Sequence, residues 1–194
     1  MQRRLFLKTA LLTLPIRLLR PQDLTLPVKS GSVRFAAIGD MGTGDSAQYD
    51  IAKRMVEYRT KFPFDLVIML GDNIYGGKSP GDLAKKFEMP YKALLDAGVQ
   101  FRACLGNHDD LNERFYQFFN MNGQQYYSFK KGNVRFFVLD TNYMDPKQLA
   151  WLENELSNNS GSDWKICYFH HPYIHRGHFT ALRPSCVLYW NQSS

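Results

Sequence analysis

One pattern recurs three times in the first half of the chain and constrains the fold more than any other feature. An apolar run rich in β-forming residues ends in glycine and then in a polar side chain, at residues 33–40, 65–72 and 101–107. The polar ends stand at positions 40, 72 and 107, a repeat of thirty-odd residues that is typical of strand–helix–strand units. The sequence therefore predicts strands with helical crossovers in a layered α/β domain.

Helices are expected between these strands. Ile51, Met55 and Tyr58 share one face of a predicted helix, with Asp45 or Ser46 as its N-cap. Residues 82–96 offer helical sequence between the second and third strands.

The later part of the chain adds a hairpin, a helix and another strand. Residues 124–140 predict a hairpin that turns at 131–133, and residues 164–169 predict a further strand. Asp145 is the predicted cap of the helix between them, and three leucines are expected to form its buried stripe: Leu149, Leu152 and Leu156.

The positive charge of the chain is concentrated at its N-terminus. The formal net charge is +6, but residues 1–20 contain five basic side chains and no acid, which leaves 19 basic and 18 acidic residues elsewhere. The remaining domain is nearly neutral, so we expect no nucleic-acid partner. The three cysteines have no metal-type spacing, and their odd number argues against a disulfide framework.

Residues 1–20 resemble a twin-arginine signal segment. Arg3 and Arg4 precede Phe-Leu-Lys and a modest apolar stretch, which is too short for a membrane span. This resemblance predicts recognition by the twin-arginine export machinery and a periplasmic or secreted protein. An ordinary basic leader is the alternative. Residues 21–32 are expected to be a linker.

Polar side chains at strand ends provide the candidate chemistry. In open α/β sheets, ligands bind beyond the carboxyl ends of the strands, where Asp40, Asp72, Asn107 and His170 are predicted to lie. Together they offer oxygen and nitrogen donors, which suit hard or borderline metal ions.

The residues around these donors resemble four of the five motifs of the calcineurin-like metallophosphoesterases. The four motifs are Gly39-Asp40-Met41-Gly42, Gly71-Asp72-Asn73-Ile74-Tyr75, Gly106-Asn107-His108-Asp109 and Phe169-His170-His171-Pro172. Two positions resemble the purple acid phosphatase branch of this superfamily. Gly42 stands where most of the superfamily has histidine. Tyr75 stands where that branch has a phenolate ligand to ferric iron. The resemblance runs from about Val33 to His178.

The resemblance implies a four-layer αββα sandwich, incomplete at the C-terminus, and a binuclear metal centre. By this resemblance Asp72 bridges two ions, Asp40 and Tyr75 hold Fe(III), and Asn107 and His170 hold a divalent Fe, Zn or Mn ion. Such a centre activates a bound water for hydrolysis of phosphate monoesters. The expected substrates are phosphorylated small molecules or phosphoproteins.

Further histidines are candidates for proton transfer and substrate binding. His108 would protonate the leaving group, with Asp109 orienting its ring. His171 and His178 are assigned to substrate binding, while Asp140 is taken as structural.

The fifth motif of the resemblance, Gly-His-x-His, does not occur in the sequence. The metallophosphoesterase domain is therefore expected to be partial, at residues 33–180. Residues 181–194 are expected to be an atypical tail that lacks the helical or strand continuation typical of the family, from a truncated or frameshifted reading frame, and the activity of the chain is doubtful. The alternatives are a phosphodiesterase or nuclease of the same superfamily, or a non-catalytic remnant that binds metal or phosphate weakly.

Overall fold

The computed structural model describes residues 29–158 and 164–171, and the backbone of 186–190. The leader at 1–20 and the substrate-binding candidate His178 lie outside these ranges. No helix within them is both long and apolar enough to cross a bilayer.

The first sheet is parallel and has the order β1-β2-β3, from strands Ala36–Ile38, Leu66–Leu70 and Gln100–Cys104. Helix α1, Ser46–Arg59, connects the first two strands. Helix α2, Pro80–Leu83, continues through a π-helical turn, Ala84–Glu88, into α3, Met89–Asp96, before β3. These crossovers confirm the strand–helix–strand units predicted from the repeated pattern.

The second sheet is mixed and has the order β4-β5-β6-β7. Strands β4, Tyr127–Lys131, and β5, Val134–Val138, form the predicted hairpin. Helix α4, Pro146–Asn158, leads to β6, Trp164–Phe169, which pairs with β5 in parallel.

The two sheets share a hydrophobic core. Fully buried side chains of β2 and β3, such as Ile68 and Phe101, belong to the same cluster as Phe136 and Tyr168 of the second sheet. The Tyr168 hydroxyl donates across the core to the carbonyl of Arg102 at 3.1 Å. With α1 and α3 outside the first sheet and α4 against the second, the chain has the predicted α/β architecture of four layers.

The face of α1 that Ile51, Met55 and Tyr58 share is only partly buried. Asp45 caps the helix, as expected, by accepting from the amide of Gln48 at 3.0 Å. Met55 is buried, but Ile51 and Tyr58 are 48% and 62% exposed. A polar residue takes their place in the interior, because Gln48 is held there by hydrogen bonds to backbone groups.

Helix α4 shows the same deviation. Asp145 caps it by accepting from the amide of Gln148, as predicted, but Leu149 and Leu156 remain 44% and 37% exposed. The buried residue is Gln148, whose amide group makes two hydrogen bonds of 2.8 Å with the backbone of Asp140. This contact fixes the helix against the end of β5 and is consistent with the structural role expected for Asp140.

The segment after residue 180 contains a strand that the sequence did not predict. Strand β7, Cys186–Trp190, pairs antiparallel with β6, from Lys165 opposite Trp190 to Phe169 opposite Cys186. The segment consists of β-forming apolar residues, and its pairing satisfies backbone groups along one edge of β6.

Candidate metal centre

Four side chains with metal-binding atoms follow strand ends at one rim of the fold. Asp40 and Asp72 each lie two residues beyond β1 and β2, Asn107 lies three beyond β3, and His170 directly follows β6. Asp40, Asp72 and His170 each place one donor atom within 4.8 Å of the others. The structure thus brings together the strand ends that the sequence predicted to converge, and it includes one from the second sheet.

The two aspartates are held in an uncommon backbone conformation. Asp40 and Asp72 have φ values of 54° and 51°, in the left-handed region that non-glycine residues seldom occupy. Such strain persists only where surrounding contacts enforce it, and it concentrates at functional sites. At this rim, the amide of Asp40 donates to the carbonyl of Gly71 at 3.1 Å, which ties the first ligand loop to the second.

Glycine permits the close packing of these loops. A Cβ atom at Gly106 would lie 2.2 Å from both the amide nitrogen and Oδ1 of Asp72. A Cβ atom at Gly42 would lie 1.8 Å from the carbonyl oxygen of Asn73. A histidine at position 42 would meet the same backbone, so this arrangement of the loops requires glycine there.

The ring of His170 is oriented by the backbone. Its Nδ1 lies 2.9 Å from the carbonyl oxygen of Leu70, which can only accept, so Nδ1 carries the proton and donates. In the neutral ring, Nε2 therefore presents a lone pair, 3.4 Å from Asp72 Oδ1 and 3.2 Å from Asn107 Oδ1. His170 is buried, and a histidine that binds a metal usually donates its other ring nitrogen to such a carbonyl.

Tyr75 completes the cluster on the side of the aspartates. Its hydroxyl lies 2.9 Å from Asp72 Oδ2 and 3.2 Å from Asp40 Oδ1. Burial, followed by the Asp72 and Asp40 carboxylates, raises the pKa of Tyr75 well above its usual value. Without a cation the phenol is thus neutral; a cation among the three oxygens would favour the phenolate.

His171 points to the same rim from the position after His170. Its Nε2 lies 2.8 Å from Asn107 Oδ1, and its backbone amide donates to Thr141 Oγ1 at 3.0 Å. Burial, and next the neighbouring His170, lower the pKa of His171. The sequence assigned this residue to substrate binding, and the structure places it beside two of the proposed metal donors.

His108 lies at the rim with its ring exposed. Its backbone amide donates to Asp72 Oδ1 at 3.0 Å, and its ring lies 5.1 Å from the Tyr75 ring, between centroids. Lys78 supports this segment by donating to the carbonyl of His108 at 2.7 Å while it pairs with Glu113 at 2.8 Å.

Asp109 has different partners from the one predicted. Its Oδ1 accepts from the amides of Asn73 and Ile74 at 2.7 and 3.1 Å, and its Oδ2 accepts from the amide of Gly106 at 2.7 Å. The Asn73 side chain also donates to Oδ2 at 2.7 Å. Both oxygens are thereby engaged in joining the loop after β2 to the loop after β3, instead of orienting the His108 ring.

The surroundings of Asp109 raise the pKa of its carboxyl group. Burial, followed by the Glu113 carboxylate, raises the pKa of Asp109 to about 8, although the amide donors act in the opposite direction.

Sequence reasoning missed a buried lysine behind Tyr75. Lys86 donates from Nζ to the carbonyls of Tyr75 and Gly77, both at 2.7 Å, and pairs with Asp82 at 3.2 Å. Its own carbonyl accepts from the Gln48 side chain, whose oxygen accepts from the Gly44 amide at 2.7 Å. Lys86 and Gln48 thus connect the loop of Tyr75 to the loop of Asp40. Its only sequence signal was its place in the predicted helical segment 82–96.

A cavity of about 310 Å³ adjoins the cluster. It is lined by Asn107 and His171 on the metal side, and by Leu111, Thr141, Asn142 and Tyr143 elsewhere. A larger surface groove of about 470 Å³, near Gly31 and Lys131, contains none of the donors. The smaller cavity is therefore the one that chemistry at the cluster would use.

The donor set fits a cation. His170 Nε2 faces both Asn107 Oδ1 and Asp72 Oδ1, and the Asp72 and His170 side chains are 3% and 5% exposed. Acceptors packed this closely repel unless protons or a positive ion lie among them. Carboxylate, phenol, amide and imidazole groups are ligands for iron, zinc and manganese.

Comparison with known proteins gives a family match over most of the chain. The profile of the calcineurin-like phosphoesterase family matches residues 33–191. A stretch of 45 residues, 23% of this chain and 11% of the other, is 40% identical to the probable inactive purple acid phosphatase 14 of Arabidopsis thaliana.

Solved structures show the same fold. The purple acid phosphatase PPD1 from yellow lupin seeds matches with a TM-score of 0.56 at 17% identity, over 72% of this chain and 31% of that one. GAP50, the anchor in the inner membrane complex of Plasmodium, matches with a TM-score of 0.57 at 18% identity, over 75% and 57%. The chain therefore spans less than two thirds of the length of each of these relatives.

Proposed function

Because the chain belongs to the calcineurin-like phosphoesterase family, we propose that its metal centre hydrolyses phosphate monoesters. The observation that supports this most directly is the convergence of Asp40, Asp72 and His170 within 4.8 Å, with two of the three buried. The buried Asp72 carboxylate and the buried His170 ring offer a cation an anionic oxygen and a ring nitrogen only 3.4 Å apart.

The residues divide into two ligand groups around Asp72. Asp40 and Tyr75 would hold a ferric ion, because anionic oxygens suit that ion, and Asn107 and His170 would hold a divalent one. Asp72 would contact both, since its Oδ2 faces Tyr75 and its Oδ1 faces His170. Two metal ions held there would supply Lewis acidity to the phosphoester and lower the pKa of a water molecule.

His108 is the proposed proton donor to the leaving oxygen. Its backbone is fixed to Asp72 and to Lys78, so the exposed ring is kept at the rim beside the cluster. Lys78 and Asp109 hold the loops that carry these groups through hydrogen bonds, and they are therefore positioning residues.

The substrates that we propose are phosphorylated small molecules or phosphoproteins, in a periplasmic or secreted setting reached through the twin-arginine machinery. A monoester specificity is favoured over a diester or nucleic-acid one, because the chain outside residues 1–20 is nearly neutral.

The test compares p-nitrophenyl phosphate with its bis ester, using the full chain supplied with iron and with zinc or manganese. We expect faster turnover of the monoester and loss of turnover in Asp72→Asn. In His108→Ala, hydrolysis of an alkyl monoester should fall by more than that of p-nitrophenyl phosphate, because an alkoxide needs the proton more. A preference for the bis ester, or metal loading without hydrolysis of either ester, would refute the proposal.

A further inference from the structure

His170 and His171 both direct a ring nitrogen to one oxygen atom. His170 Nε2 lies 3.2 Å and His171 Nε2 lies 2.8 Å from Asn107 Oδ1, and the two ring centroids are 4.3 Å apart. The backbone supports this arrangement at both residues, through Leu70 for the first ring and Thr141 for the second.

These separations are those of neighbouring ligands on one ion. Donor atoms about 2.1 Å from a metal ion lie about 3.0–3.4 Å apart in octahedral or tetrahedral coordination. The 3.2 Å from Asn107 Oδ1 to His170 Nε2 lies within this range, and the 2.8 Å from Asn107 Oδ1 to His171 Nε2 lies just below it.

We propose that His171 binds the divalent ion directly through Nε2, together with Asn107 and His170. This inference rests on the metal-dependent function proposed above and changes the role that the sequence indicated for His171, which was contact with substrate. Two consecutive residues can serve one ion here because β6 ends at Phe169, so the chain leaves the regular strand alternation that would point them to opposite faces.

The position of His171 also determines where a bound ion would lie relative to the cavity. His171 and Asn107 form the wall of the 310 Å³ cavity nearest the cluster. An ion bound by both residues would lie at the inner end of that cavity, where an entering phosphoester can reach it.

The competing role for His171 is a hydrogen bond to Asn107 that only positions the amide. Three variants separate the two roles in the full chain, titrated with zinc alone. His171→Phe keeps a ring next to His170 but removes the nitrogen, His171→Cys offers a different ligand atom, and His170→Phe removes a ligand of the proposed set.

We expect His171→Phe to weaken zinc binding at least 10-fold and to remove one imidazole from the zinc X-ray absorption spectrum, and we expect the same of His170→Phe. His171→Cys should recover affinity and add a sulfur at about 2.3 Å from zinc. Unfolding temperatures of the metal-free variants at position 171 should match that of the parent, because this side chain is exposed.

An unchanged imidazole number in His171→Phe, or no zinc–sulfur distance in His171→Cys, would overturn the inference in favour of a positioning role. Failure of the parent chain to bind zinc would overturn it as well. If the spectra are as expected but no phosphate ester is hydrolysed, the proposed activity fails and the ligand assignment stands.

Discussion

Replacing Gly42 with alanine should force apart the two loops that carry Asp40 and Asp72. Gly42 is buried, and a Cβ atom there would lie 1.8 Å from the carbonyl oxygen of Asn73 and 2.5 Å from Cα of Ile74. Both obstacles are backbone atoms, so no change of rotamer relieves the contact. The same interface includes the hydrogen bond from the Tyr75 amide to the Gly42 carbonyl at 2.9 Å.

The size of the effect follows from that geometry. Ordinary contacts begin near 3.4 Å, so the loops must separate by about 1.6 Å. Overpacking of this kind costs about 1–3 kcal/mol, which lowers the unfolding temperature of a domain of this size by about 3–9 °C. Since a misplacement of about 1 Å can reduce a rate about 10²-fold, we expect a loss of that order in hydrolysis and a 10–100-fold loss in metal affinity.

Gly81 provides a matched control for the same substitution. It lies in α2, and the nearest atom to its added Cβ is Ser79 Oγ at 3.9 Å. Gly81→Ala should leave stability unchanged or slightly raised and should not affect metal binding. Calorimetry and zinc titration of both variants test the reasoning, which is refuted if Gly42→Ala behaves like Gly81→Ala.

Three further predictions concern other parts of the chain. Asp109→Ala leaves four donors without their acceptor, including the buried amide of Asn73. It should lower the free energy of unfolding by about 2–4 kcal/mol in a denaturant titration. A loss below 1 kcal/mol would contradict the role of Asp109 in joining the two loops. The iron-loaded protein should absorb visible light through phenolate-to-iron charge transfer, and Tyr75→Phe should abolish the colour without changing the far-ultraviolet circular dichroism; a colourless protein with both metal positions filled would exclude the ferric phenolate. Changing Arg3 and Arg4 to lysine should retain the protein in the cytoplasm, as fractionation would show, and unchanged export would argue against twin-arginine recognition.

The convergence of the donors could be predicted from the sequence because it follows from local patterns. Each apolar run that ends in glycine and a polar residue specifies a strand and its terminus, and parallel strands place their carboxyl ends at one edge. Caps such as Asp45 and Asp145 were equally predictable, since their hydrogen bonds join residues three positions apart.

The packing of the helices could not be predicted in the same way. Apolar spacing favoured Leu149 as a buried residue of α4, whereas α4 buries Gln148 and α1 buries Gln48. Each glutamine is buried because a distant backbone group satisfies its amide, at Asp140 for Gln148 and at Lys86 for Gln48. Periodicity measures the hydrophobicity of a face and contains no information about such partners.

The sequence by itself determined strands β1 to β6, the ligand-type residues at the ends of four of them and the family. Only the tertiary structure decided that Asp109 joins two loops, that Lys86 supports the Tyr75 loop, that His171 faces Asn107 and that β7 pairs with β6. These features depend on contacts between segments far apart in the chain, where hydrogen-bond geometry and close packing select the partner. The identity of a side chain sets which bonds it can make, and the fold sets which of them it does make.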